Sequence, residues 1–396
     1  MGYQDSMLAQ ILRLITKDGI EGAINKYLGD KWVKKFNTKN HLTVMLYGQI
    51  TGKDSLRDIV RGLKVHKNKL YHLGIKGFSK SSLSEANKKR DWRIFREIFY
   101  IIKERKEMMS GKHGFRFNNK LYLLDTTFIE LAISLFPWAV YRKRKGGIKL
   151  HTLIDVDGLL PEVVVVSEAR SHDLAYVEEV TRDIIRDSII VFDRGYVDYR
   201  WFGELEERGL YFVTRAKKRM EYVVSGQLKV SKRAKDKGVI EDNVIEFVDD
   251  RNIKHYPYEM RMVVYKDPES GKKFEFITNN FVLSPLTIAK LYKKRWDIEL
   301  FFKWIKQNLK IKSFLGTSKN AVLIQIWTAL IYYLLLSYIR FQGRYPKSLT
   351  FFAKIIPEIL FSNTDFIDIL QIDDNEGINL IKEKINSPPL LFSRNT

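Results

Sequence analysis

The sequence predicts an α/β protein with an all-helical N-terminal domain and a β-rich insertion that divides the α/β core. Three observations point to this. Apolar residues recur at helical spacing through residues 1–112, short β-branched and aromatic runs alternate with helical stretches over 113–216, and only short strands with polar turns are read over 217–283. Helical spacing returns over 284–345 as the second part of the core, and 346–396 reads as a helical tail that loosens at Ser387-Pro388-Pro389.

At 396 residues the chain has room for two or three domains, and its 45% apolar content is that of an ordinary globular protein. Lys and Arg outnumber Asp and Glu by 68 to 47, a formal charge of +21. That excess favours a polyanionic partner, nucleic acid first, although a basic soluble protein that binds no DNA would show the same balance. Cys is absent, which excludes disulfides, thiolate catalysis and Cys-ligated zinc and fits a reducing cytoplasm. The opening MGYQDSMLAQ has no secretory pattern. Residues 321–339 run for nineteen positions without a charge, near the length of a membrane span. Gln325, Thr328 and Ser337 interrupt the run and it follows an amphipathic helix, so it is read as a buried core helix, with no membrane partner expected.

In the N-terminal domain, helices are expected at 6–15, 20–27, 41–50, 56–63, 83–89 and 92–107, with Ser55-x-x-Asp58 and Ser82-x-x-Glu85 as capping boxes. Residues 1–110 hold 23 basic and 11 acidic side chains, so +12 of the net charge lies there. Lys76, Lys80, Lys88, Lys89 and Arg90 around 81–87 suggest a helix-turn-helix-like DNA reader, with Lys88, Lys89 and Arg90 as DNA contacts. A small helical bundle with a solvated basic face would read the same way. A Gly-containing linker at 110–114 leads into the core.

The core opens with LYLLD, an apolar strand ending in Asp125, followed by Thr126, Thr127 and a second run, FIELAI. Beyond a basic loop at 141–147, two strands are divided by the turn Asp157-Gly158. A helix at 174–186 precedes the buried-type strand SIIVF, which delivers Asp193. A helix at 198–208 and the strand LYFVTR complete a β-β-β-α-β-α-β order. Asp125 and Asp193 are thus each expected at a strand's end.

The stretch 292–306, YKKRWDIELFFKWIK, supplies a third acid. On a helix, Tyr292, Arg295, Glu299 and Lys306 fall in a sector about 60° wide, while Leu291, Ile298, Phe301, Phe302, Ile305 and Leu309 form an apolar stripe beside it. One acid therefore stands among three phosphate-binding side chains, with Tyr292 and Lys306 roughly 10 Å to either side along the axis. Asp297 lies about 160° from Glu299 and is a poor substitute for it.

Phosphoryl transfer between DNA strands needs charge stabilised on both the entering and the leaving oxygen, which two Mg²⁺ ions provide. Mg²⁺ prefers oxygen ligands, so Asp125, Asp193 and Glu299 suit it, and none of the seven His shows the paired helical spacing of a zinc site. Taken singly, each acid reads as a surface or capping carboxylate; their shared placement is what marks them.

These residues resemble a known family. Tyr292, Arg295, Glu299 and Lys306 meet the signature Y-x2-R-x3-E-x6-K, and Asp193-Arg194-Gly195-Tyr196 is similar to the second-aspartate motif of the bacterial DDE insertion-sequence transposases of insertion-sequence family four. Asp125-Thr126-Thr127, Lys149-Leu150-His151 and Phe212-Val213-Thr214-Arg215 are further matches, and the resemblance covers roughly 115 to 335. It implies a ribonuclease H-like mixed-sheet core interrupted by the β-rich insertion. It implies that Asp125, Asp193 and Glu299 are both catalytic and metal-binding, holding two Mg²⁺ for which Mn²⁺ substitutes. It also implies that Tyr292, Arg295, Lys306 and Arg194 contact DNA.

The resemblance further implies double-stranded DNA partners, namely the transposon's terminal inverted repeats and target DNA, bridged by a homodimer in the bacterial cytoplasm. The expected activity is cleavage at transposon ends and strand transfer; a nuclease of the same fold that never joins, or a non-catalytic end-binding protein, are the alternatives. Relatives that excise through a DNA hairpin use an aromatic of the insertion, often Trp, against a flipped base. The seven Trp here, at 32, 92, 138, 201, 296, 304 and 327, all miss residues 217–290, which leaves Tyr256 or Tyr258 to stack a base or to pack in the sheet.

Overall fold

The computed structural model describes residues 6–75, 77–104, 113–142, 145–342 and 348–363. Most of the expected linker, the tail beyond residue 363 and Lys76 lie outside the described residues. The chain divides into two units, one of residues 111–303 and the other of residues 1–110 with 304–396.

The 111–303 unit is built on one sheet of ten strands. They are β1 (Leu121–Leu131), β2 (Val140–Arg142), β3 (Lys145–Asp155), β4 (Leu160–Glu168), β5 (Ile189–Phe192), β6 (Tyr211–Arg215), β7 (Tyr222–Gln227), β8 (Val239–Phe247), β9 (Met260–Lys266) and β10 (Lys273–Thr278). β1 lies between an antiparallel β3 and a parallel β5, β4 pairs outside β3, and β6 runs parallel to β5. This is the expected mixed sheet of a ribonuclease H-like core. All four residues of β5 are buried, as a central parallel strand covered on both faces requires. Phe192, Phe202, Phe212 and Leu205 fill the layer between sheet and the helix Tyr199–Glu207. The insertion's strands continue the core sheet, in the order β6-β10-β9-β8-β7.

The elements around the expected site depart from the sequence's expectations in three places. β1 does not end at Asp125 but runs on to Leu131, because its antiparallel pairing with β3 outlasts its parallel pairing with β5, which stops at Leu124. The helix expected at 174–186 is a 3-10 turn, Asp173–Tyr176, and a short helix, Val177–Thr181. Arg208 donates to the carbonyls of Thr181 and Arg182 at 2.5 and 3.0 Å, capping the helix where it stops. The stretch 292–306 is two helices, Pro285–Lys294 and Trp296–Asn308, meeting at Arg295.

A buried ion pair fixes the approach to those helices. Arg261 on β9 forks onto Asp242 on β8 at 2.8 and 2.7 Å, and its remaining nitrogen donates to the carbonyls of Asn280 and Leu283. The next residue, Ser284, caps the helix Pro285–Lys294. The sheet thereby sets where that helix begins.

The other unit is helical in its described residues. Its core helix, Lys319–Gln342, is the apolar run of the sequence; 94% of its most apolar window is buried within the protein, as a core helix requires. Trp327 packs there against Phe99 and Tyr100 of the helix Arg93–Lys103. Asn320 donates to the carbonyls of Asn87 and Arg90 and accepts from Trp92, holding the turn before that helix. Ser55 and Asp58 form the expected capping box, whereas the helix Lys80–Lys89 is capped by Ser79, with Ser82 already inside it. Arg90 is corrected as a DNA contact: its guanidinium is buried and donates to the carbonyls of Gly29, Phe36 and Asn37. Lys88 and Lys89 are exposed, Lys89 paired with Glu85.

Candidate active site

Leu121 to Leu124 of β1 lie in parallel register with Ile189 to Phe192 of β5, all eight buried. Asp125, within β1, and Asp193, the residue after β5, each follow the last parallel-paired residue and so come out side by side at the carboxyl end of the β1–β5 pairing, the side on which open α/β sheets present ligands. Asp193 directly precedes a 3-10 turn, Arg194–Tyr196, in which Tyr196 is buried and Arg194 exposed.

Behind the two acids lies a polar network that ties their backbones together. Thr126 Oγ1 is 2.6 Å from the Tyr196 hydroxyl and 2.8 Å from His151 Nδ1, the residue opposite it on β3. His151 Nε2 contacts Ser167 Oγ at 2.7 Å, and Tyr176 stacks on the ring at 4.4 Å. Burial lowers the His151 pKa to about 4, so the imidazole is neutral near pH 7 and bridges two hydroxyls. Lys149 donates to Asp173 and the Ser171 carbonyl, each at 2.8 Å, closing the loop beside Tyr176.

Glu299 arrives from the helix Trp296–Asn308. The apolar stripe expected there is buried in full, from Leu291 and Ile298 to Leu309. The polar sector beside it is partly buried. Arg295, at the junction of the two helices, reaches Glu299 Oε1 with Nη2 at 2.5 Å and lies 3.6 Å from Asp125 Oδ2 with Nη1. Its Nε is buried without a partner. Tyr292, almost fully buried, donates its hydroxyl to Asp193 Oδ1 at 3.3 Å. Lys306, seven residues past Glu299 on the same helix, falls in the other unit, where burial and then Lys312 lower its pKa.

Electrostatics join the three acids. Burial pushes the Asp125 carboxyl up to about 6; the Thr126 amide and Arg295 oppose the shift, and Asp193 and Glu299 add to it. Asp125 therefore feels both other carboxylates. Asp297, the acid set aside in the sequence, pairs with Lys294 at 2.8 Å instead.

A cavity of about 740 Å³ opens beside the acids and shares Tyr292 and Arg295 with them. Tyr265 and Phe274 of the insertion line it with Phe276, Trp296 and the lysines 290, 293 and 294. Trp296 is 58% exposed. The aromatic wall near the acids thus includes a Trp from the glutamate helix, while Tyr256 is buried in the core cluster and bonded to Glu206, so it packs rather than stacks a base. The periodicity of residues 292–306 does not reveal this wall, because Phe115, Tyr265, Phe274 and Phe276 come from segments remote in the sequence.

Residues 117–335 match the family described as Transposase DDE domain, and residues 3–76 match a domain of unknown function. A protein of Sinorhizobium fredii named as a transposase is 31% identical over 72% of this chain and 79% of its own length. One of Geobacillus stearothermophilus, named as the transposase of insertion sequence IS5377, is 28% identical over 68% of this chain and 70% of its own. A third, of Synechocystis and named for the element IS4SA, is 30% identical over 65% and 70%. Among solved structures, a piggyBac transposase synaptic complex with hairpin DNA overlaps 98% of this chain and 87% of its own at 12% identity and a TM-score of 0.48. With the domain match spanning more than half of its length, the chain belongs to the DDE transposases of bacterial insertion sequences, enzymes that act on DNA.

Proposed function

We propose that the enzyme cleaves DNA at the ends of its insertion sequence and joins those ends to target DNA, with Asp125, Asp193 and Glu299 as its catalytic carboxylates. The observation that carries this is the convergence of the three acids: register-paired strands deliver Asp125 and Asp193 side by side, and Asp125 senses Glu299 as well as Asp193. Divalent-metal dependence goes with the family. Carboxylate oxygens fit two Mg²⁺ ions, with Mn²⁺ as a substitute, and such ions supply charge stabilisation to the entering and leaving oxygens.

Arg295 occupies the space between Asp125 and Glu299, and among the described residues no three acidic or imidazole groups form a ready metal cage. Asp125, Asp193 and Glu299 would hold the ions, and Arg295, which pairs with two of these acids, would have to give up those contacts. Once released, its planar five-donor fork suits a DNA phosphate. Tyr292 and Arg194 flank the acids as further backbone contacts, and Lys306 extends the same helix with a point charge. The aromatic and lysine-lined cavity suits unpaired bases at the DNA end. In the N-terminal domain, Lys88 and Lys89 remain the backbone contacts. Bridging two ends calls for a homodimer.

The test is Mg²⁺-dependent cleavage of labelled DNA carrying the element's own ends, read on a denaturing gel beside a strand-transfer assay. Asp125→Ala, Asp193→Ala and Glu299→Ala are each expected to abolish cleavage while end binding survives. Cleavage retained in all three variants would overturn the assignment, and cutting without joining would reduce the enzyme to a nuclease.

A further inference from the structure

The most exposed large apolar side chain of the described residues is Trp32, at 89%, and it stands where no core claims it. It belongs to the connection between the helices Lys17–Lys26 and Thr38–Ile50. Residues 26–39 carry five lysines, at 26, 31, 34, 35 and 39, against the single acid Asp30. Trp32 and Leu28 both adopt left-handed backbone, with φ of 63° and 51°. For bulky side chains that conformation is unfavourable and persists only where the surroundings impose it.

The surroundings do impose it. The buried Arg90 guanidinium clamps the carbonyls of Gly29, Phe36 and Asn37, on both sides of Trp32. Asp30 accepts from the amide and hydroxyl of Thr38 at 2.6 and 2.7 Å, closing the loop on itself. Phe36 stacks on Phe78 at 4.9 Å. A Cβ at Gly29 would come within 2.5 Å of the Ile94 side chain, so the loop base is packed tight. The loop is thus built rigidly in order to leave an indole in water, with Lys31 across its ring and Lys34 and Lys35 exposed beside it. A solvent-facing loop with no partner would gain nothing from such strain.

We propose that this loop is a DNA-binding wedge, in which Lys31, Lys34 and Lys35 grip the phosphates of a duplex and the Trp32 indole presses into the base stack. A protein partner of ordinary composition would not call for three exposed lysines beside one indole, whereas a polyanion with stacked aromatic bases answers both features. The inference rests on the reading of the chain as a DNA-cleaving enzyme and gives its N-terminal domain a specific contact.

Full-length protein in EDTA is titrated onto a labelled mixed-sequence duplex by fluorescence anisotropy at several salt concentrations, with 2-aminopurine in a parallel duplex reporting unstacking. Trp32→Ala is expected to weaken binding about tenfold or more and to abolish the 2-aminopurine signal, while Trp32→Phe retains most of both. Lys34→Ala with Lys35→Ala should lower the slope of log affinity on log salt by about 2. None of these side chains packs in the core, so melting temperatures should not move. If wild type and Trp32→Ala bind alike while Mg²⁺-dependent cleavage proceeds, the wedge is wrong and the enzymatic reading stands. If wild type binds no duplex at all, both fall. Loss of self-association without DNA in Trp32→Ala, with affinity for DNA unchanged, would also overturn the wedge by making the loop a contact between copies.

Discussion

Asp125 and Asp193 are held differently from Glu299. The two aspartates follow the parallel-paired stretch of β1 and β5, and the Thr126–Tyr196–His151 network joins their backbones. Glu299 rides on a helix that begins just beyond a break at Arg295, and the described hydrogen bond to its carboxylate comes from that same arginine. One half of the site, a pair of acids, is fixed by strand register; the other, the third acid, is held by a single arginine that also pairs with Asp125. The difference teaches where precision is bought by the fold and where adjustment is left to the ligand.

The largest effect should come from removing charge in either half. Asp193→Asn and Glu299→Gln are each expected to cut cleavage by at least about a thousandfold, the several kcal/mol that metal-held charge stabilisation supplies. The halves should separate in a second measurement: calorimetric titration with Mn²⁺ should show Asp193→Asn losing binding outright, while Glu299→Gln, in which Arg295 loses its anchor, keeps a weak site. Equal losses in both would mean that the two halves are held alike.

Next in size is the pair that positions the half held by Arg295. Arg261→Met leaves Asp242 charged, buried and unpaired, at a cost of about 3–5 kcal/mol of stability in urea unfolding. It also frees the carbonyls of Asn280 and Leu283, so cleavage per folded molecule should fall further than the stability loss alone explains. The double variant Arg261→Met with Asp242→Leu should recover stability but not cleavage. Recovery of both would make the pair a matter of stability only.

A smaller effect, in pH, belongs to the preformed half. Asp125 titrates near 3.8 when unfolded and near 6 in the folded protein, raised first by burial. Below the lower value it is protonated in both states; between the two, the folded chain keeps a proton that the unfolded chain has lost; above the upper value the folded chain carries a costly charge. Stability relative to Asp125→Asn should therefore fall as pH rises through this window, by up to about 3 kcal/mol in EDTA. Added Mg²⁺ should raise the melting temperature more above pH 6 than below it. A difference between wild type and variant that stays flat with pH would count against the buried placement of Asp125.

The sequence showed the acids more readily than their supports. Strands 121–125 and 188–192 were legible because a buried parallel strand needs an unbroken apolar run, and the order of elements implied the mixed sheet. The helical wheel of residues 292–306 identified the buried stripe from Leu291 to Leu309. It grouped Tyr292 and Arg295 with Glu299 as phosphate binders on one straight helix, whereas the stretch breaks at Arg295 and both side chains contact the aspartates. Arg90 looked like a DNA contact among basic neighbours; that it clamps three carbonyls depends on a loop more than fifty residues away. Long-range hydrogen bonds of this kind leave no periodic trace in a sequence.

The smallest expected effect tests the network itself. Tyr196→Phe removes one hydroxyl from Thr126, which keeps its contact with His151, so the cost in stability should be about 0.5–1.5 kcal/mol. A purely structural tyrosine would produce only that loss. If the hydroxyl also holds Asp125 and Asp193 at their working separation, the Mg²⁺ concentration for half-maximal cleavage should rise several-fold while the rate at saturating Mg²⁺ and the affinity for DNA change little. Thr126→Val, which breaks both contacts at the node, should shift the metal dependence further in the same direction, and Thr126→Ser should restore it. An unaltered metal dependence in Tyr196→Phe, with the stability loss present, would confine the network to folding and leave the strand register alone responsible for the preformed half.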